Sequence, residues 1–207
     1  MADRPKKKAP APATNSLYER YKDALRRGHV ASLRGRYEAA IGAYSEAAAI
    51  APDRALPHSA IGGILLKMGR PADATQSYAR ALALAPRDEA ALRGQADLLA
   101  AAGRRVEAAD LLDRLAEVLD GSGRLADASD AARRALELAE SRERRRQVEA
   151  YAARLKAAPA DAAVAQALTQ VLRVLEPPVG AAATAGRPHP VGRLMPPSTC
   201  RHIRRAA

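Results

Sequence analysis

A pattern that returns every 34 residues limits what this chain can fold into. Residues 35–53 read GRYEAAIGAYSEAAAIAPD, and residues 69–88 read GRPADATQSYARALALAPRD. Gly35 aligns with Gly69, Ala40 with Ala74, Tyr44 with Tyr78, Ala47 with Ala81 and Pro52 with Pro86. Gly103 stands a further 34 residues on. A fixed period of this length marks a stacked array of small units, none able to bury its apolar face alone.

The residue types say what each unit is. Alanine is the best helix former, and the β-branched and aromatic residues that strands favour are sparse. The chain has no Trp, no Phe and six Tyr. Its core is therefore alanine-faced helices in close approach, with Leu, Val and Tyr filling the gaps. The fold class is all-α. Each Gly lets the chain leave one helix in a left-handed conformation. The paired Ala positions mark helix crossings too tight for a larger side chain. The Tyr fills the space between one unit and the next. The Pro stops the second helix.

This pattern resembles the tetratricopeptide repeat (TPR) over residues 21 to about 140. The resemblance implies a short right-handed superhelical solenoid of antiparallel helix pairs. Repeats are expected at about 21–54, 55–88 and 89–108, with an irregular stretch at 109–140 and capping helices at 141–176. The first helix of repeat one departs from the pattern at Ala24 and Arg27, while Gly28 agrees with it.

The register then breaks. The next turn glycine, Gly123, follows Gly103 by 20 residues, so fourteen residues, about one helix, are missing. Helix 105–119 reads both as the second helix of repeat three and as the first helix of a further repeat. A regular groove should end near it. Residues 125–157 fit either one long helix or two with a turn near 140–142, and the repeat geometry favours the turn, with Ser141 as a cap. A last helix, about Asp161 to Leu175, carries Val164, Leu168, Val171, Leu172 and Leu175 at helical spacing and is expected to close the array.

The net charge is +11, but its distribution is uneven. Residues 1–15 carry +3 and residues 177–207 carry +5, while the helical middle is nearly balanced. Both ends are Pro-rich and read as disordered tails, the first a basic arm and the second holding Cys200 and His202. Binding of nucleic acid or an anionic surface through these tails is an alternative role. The lack of Phe and Trp to stack bases makes nucleic acid the weaker partner. The run Arg142, Arg144, Arg145, Arg146 is interleaved with Glu140, Glu143 and Glu149 and reads as a solvated helical face.

No catalytic, cofactor-binding or metal-ligating arrangement is expected. The four histidines, His29, His58, His189 and His202, form no triad-like or metal-like spacing. No apolar run reaches the length of a membrane span, and one cysteine with no leader-like segment fits the cytoplasm.

The family's ligands lie against the first helix of each repeat. That implies a partner-binding groove of Lys22, Leu25, His29 and Leu33, then Leu56, Ser59, Gly63, Leu66 and Lys67, then Arg93, Asp97 and Ala101. The family's carboxylate clamp for chaperone tails would need Lys, Asn and Arg where this chain has Leu25, His29, Ala60, Ala90 and Gly94. Clamp-type binding is therefore not expected. The reading is an interaction module for an unidentified protein or peptide, with pairing of two copies through exposed end faces as a further possibility.

Overall fold

The computed structural model describes residues 17–159 and 161–176. The expected tails lie outside the described residues. All regular structure among the described residues is helical. Helices α1 (Leu17–Leu33) and α2 (Tyr37–Ile50) form the first antiparallel pair. Then follow α3 (Leu56–Lys67) with α4 (Pro71–Leu84), and α5 (Glu89–Ala101) with α6 (Arg105–Gly121). Helices α7 (Leu125–Leu138), α8 (Arg142–Ala157) and α9 (Ala162–Leu175) complete the stack. The fold is the all-α solenoid of helix pairs.

Two kinds of turn alternate, and their chemistry shows how the stack is built. Helices α1, α3, α5 and α6 each end at a glycine with positive φ: Gly35 at 70°, Gly69 at 72°, Gly103 at 78° and Gly123 at 78°. At each, the following arginine's N–H donates back to the helix's last turn, as Arg36 to Ala31 and Arg124 to Leu119. This Gly-centred closure satisfies carbonyls that the helix end would leave unpaired. Helices α2, α4 and α7 end differently, on an extended alanine: Ala51, Ala85 and Ala139, with φ of −135°, −136° and −145°.

Helix α6 thus follows a Gly turn and also ends in one. It is entered as a second helix and left as a first helix. Its buried residues Ala108, Ala109, Leu112, Leu115, Ala116 and Leu119 serve neighbours on both sides. The chain turns again before α8, where the Ser141 hydroxyl accepts a hydrogen bond from the Arg144 N–H at 3.1 Å. Residues 125–157 are therefore two helices. Helix α9 packs on α7 and α8 through Ala167 and Val171. Leu172, expected on that apolar face, is instead exposed, and Val164, Leu168, Val174 and Leu175 complete the packed face.

Tyrosine rings join the repeats. Tyr44 lies on Gly28, and Tyr78 is buried between Gly62 on α3 and Gly94 on α5. A Cβ on Gly94 would stand 2.3 Å from the Tyr78 Cζ. These glycines are required by the close approach of a ring, and not by backbone conformation.

Candidate functional site

The first helices α1, α3 and α5 hold the expected groove residues. Lys22, His29, Leu33, Leu56, Lys67, Arg93, Asp97 and Ala101 are exposed. Leu25, Gly63 and Leu66 are half-buried at its floor. Leu33 and Leu56 are 75% and 53% exposed, high for leucine in a packed array. Lys22 pairs with Glu19 at 3.2 Å and lies 5.1 Å from the centroid of the Tyr18 ring. Lys67 and Arg93 have no carboxylate partner among the described residues.

Ser59 does not belong to this surface. It is 3% exposed, and its hydroxyl donates to the Leu56 carbonyl at 3.1 Å. The Asp88 carboxylate lies 3.5 Å away, so Ser59 fastens the start of α3 beneath the turn that precedes α5. Asp97 is less available than the sequence implies, because Arg134 reaches it from α7 at 2.6 Å. Arg134 thereby closes the α5 end of the groove with an ion pair. Arg124 bridges the same two helices through Glu89, also at 2.6 Å. The regular surface stops there.

Two titratable groups of α3 and α4 are shifted from their usual values. Burial, then the Asp97 and Asp88 carboxylates, push the Tyr78 phenol up. Burial, then the Arg80 charge, push the His58 imidazole down. His58 is half-buried on α3.

A second surface lies between α6 and α8. On α6, Asp110, Asp113, Glu117 and Asp120 form a stripe, and Arg144, Gln147, Tyr151 and Arg154 face it 34 residues on. These pairs recover the repeat period across the register break, counted with α6 as a first helix. Arg144 holds Asp113 at 2.8 Å and Asp110 at 2.5 Å, and donates to the Ala139 carbonyl at 3.0 Å. Arg154 grips Asp120 at 2.6 Å. The arginine run is therefore not simply a solvated face, since Arg144 is mostly buried and its partners lie on another helix. Arg145 pairs with Glu140 at 2.7 Å rather than with Glu149.

The Asp113 carboxyl stands above its usual value, because burial outweighs the effects that oppose it. Burial pushes its carboxyl up, while the Arg144 hydrogen bond and charge hold it down. Its Oδ1 is buried without a hydrogen-bond partner. Arg144→Met would leave burial unopposed, so the folded chain would bind a proton more tightly than the unfolded chain. Protonation then favours folding, and the variant's stability falls as pH rises through the raised folded value. Thermal melts between about pH 4 and about pH 7 should show the variant losing more stability than the wild type as pH rises. Parallel curves would contradict this.

One regular signal was readable in the sequence and was missed: an arginine follows each turn glycine. Three of these four pair with an acid three residues on, in Arg70–Asp73, Arg104–Glu107 and Arg124–Asp127. Among the described residues no group of His, Cys, Asp and Glu is arranged to hold a metal ion, and no helix is long and apolar enough to cross a membrane.

Comparison with known proteins agrees with this architecture. Residues 58–90 match the tetratricopeptide repeat family. The structure is similar to the TPR2B domain of yeast Sti1 in its complex with pHsp70, with a TM-score of 0.53 and 19% identity over 59% of this chain and 98% of that one. It is also similar to the TPR domain of Arabidopsis OM64, with a TM-score of 0.50 and 17% identity over 59% of this chain and 98% of that one. No curated protein sequence matches the chain.

Proposed function

Because this chain is a tetratricopeptide repeat protein, we propose that the α1, α3 and α5 surface binds a segment of a partner protein. Exposed Leu33 and Leu56 carry the reading, since they share that surface with the unpaired cations Lys67 and Arg93. Exposed apolar side chains beside charges that lack partners are what a docking surface presents before it is occupied. The segment that fits carries an apolar residue or two for the leucines and carboxylates for Lys67 and Arg93. Chaperone tails held by a carboxylate clamp are not proposed, although the Sti1 domain is seen with pHsp70. The clamp positions here hold Leu25, His29, Ala60, Ala90 and Gly94, and supply none of the required amides and cations.

A photo-crosslinking residue at Leu66, followed by mass spectrometry in the native cell, should capture a partner segment. Lys67→Glu with Arg93→Glu should then weaken its binding by about tenfold, the effect of losing about 1.4 kcal/mol. Crosslinks that persist unchanged in the charge-reversed protein would remove the groove from the account.

A further inference from the structure

The end of the array at α1 carries an unusual face. A space of about 420 Å³ is walled by Arg26, Arg27, Arg34 and Arg36 over a floor of Val30, Ala31 and Ala39. Its five α1 positions recur 34 residues later as Ala60, Ile61, Ile64, Leu65 and Met68. There, Ala60, Ile61, Ile64 and Met68 pack against Ala40 and Tyr44 of the preceding repeat. The α1 face therefore occupies the position through which an interior repeat docks, with arginines in place of three apolar residues.

Two of these arginines are free. Arg26 and Arg27 are engaged by Asp23, and Arg27 also by Glu46 at 2.7 Å. Arg34 and Arg36 have no carboxylate partner among the described residues. Arg36 is the turn arginine whose acid is missing, because Ala39 stands where Asp73, Glu107 and Asp127 stand in the other turns. The face thus combines an apolar floor with uncompensated positive charge.

The complementary surface is on the same chain. The spaces between α6 and α8, of about 480 and 380 Å³, are lined by Asp110, Asp113, Glu117, Asp120 and Glu143 against Arg144 and Arg154. Glu117 and Glu143 are exposed and have no cationic partner among the described residues. Tyr151 and Ala150 give this groove an apolar wall as well. In an otherwise basic protein it is a local surplus of negative charge.

We propose that the arginine face of α1 and α2 docks into the α6/α8 groove of a second copy of this chain. The occupant is a second copy because each face supplies what the other lacks: unpaired arginines around an apolar floor, and unpaired carboxylates beside an apolar wall. The two faces differ, so the contact is head to tail. Association of this kind continues from copy to copy unless a ring closes. It leaves Lys67 and Arg93 free, and it stands or falls independently of the partner groove.

Sedimentation of the full-length protein tests it. The wild type should sediment as species larger than a monomer at low salt and shift towards monomer by about 0.5 M salt, where exposed charges are screened. Arg34→Ala with Arg36→Ala, and separately Glu117→Ala with Glu143→Ala, should each weaken association by at least about tenfold. All four positions are exposed, and helical circular dichroism checks that both variants fold. Mixed in equal amounts, the two variants should form a one-to-one dimer and stop, since each retains one intact face. A monomeric wild type at low salt, variants that associate like the wild type, or a mixture that stays monomeric would each overturn the proposal.

Discussion

Leu112→Ala is expected to lower stability by about 3 kcal/mol, within the range for deleting a fully buried leucine side chain. Leu112 has no exposed surface. It lies on α6, in the cluster that includes Leu92 and Ala96 of α5 and Ala128 and Ala132 of α7. A cavity there cannot collapse from one side without opening the other. At about 2–4 °C per kcal/mol for a domain of this size, the melting temperature should fall by roughly 6–12 °C. Val106→Ala on the same helix, 62% exposed, is the control and should change little. A Leu112→Ala protein within about 1 kcal/mol of wild type would show that α6 is not held on both sides.

The second large effect comes from the Tyr78 ring. Added methyl groups at Gly62 and Gly94 would stand 2.7 and 2.3 Å from its atoms, closer than real contacts allow. Each glycine-to-alanine change gains about 0.5–1 kcal/mol of helix preference, but overpacking costs about 1–3 kcal/mol per site. Overpacking wins at both, so Gly62→Ala with Gly94→Ala should be destabilised by about 2–3 kcal/mol. Adding Tyr78→Leu should recover most of the loss. The chain already contains that solution: 34 residues on, Leu112 replaces the tyrosine and Ala96 and Ala128 replace the glycines. Urea denaturation of the double and triple variants measures the coupling. A triple variant no more stable than the double would mean that ring and glycines are not matched.

Local features were legible in the sequence because their chemistry is local. A turn glycine is needed wherever φ is positive, so Gly35, Gly69, Gly103 and Gly123 mark turns without reference to anything distant. Ser141 caps α8 through a residue three positions away. The double reading of residues 105–119 was also available, because Gly103 and Gly123 delimit that helix at both ends. What stayed hidden depends on residues far apart in the chain. Ser59 has a groove position by spacing, yet Asp88, 29 residues on, lies over it. Arg144 has glutamates nearby in sequence, but its aspartates lie 31 and 34 residues back on α6. Those partners come into view only once α8 is known to lie beside α6. Gly94 matches no expected glycine position and is explained by the Tyr78 ring alone.

The double use of α6 also fixes a parity. Every complete repeat adds two helices, so lengthening the array by whole repeats returns the chain to the side it left. Sharing α6 makes the step odd. The carboxylate-lined surface of α6 and α8 therefore belongs to the opposite layer from the cationic surface of α1, α3 and α5. Inserting the fourteen residues between Gly103 and Gly123 that would restore a separate helix would bring both onto one layer. Anything fused beyond α9 would then change sides. In this chain, the count of helices, more than the identity of any residue, decides which way each charge faces.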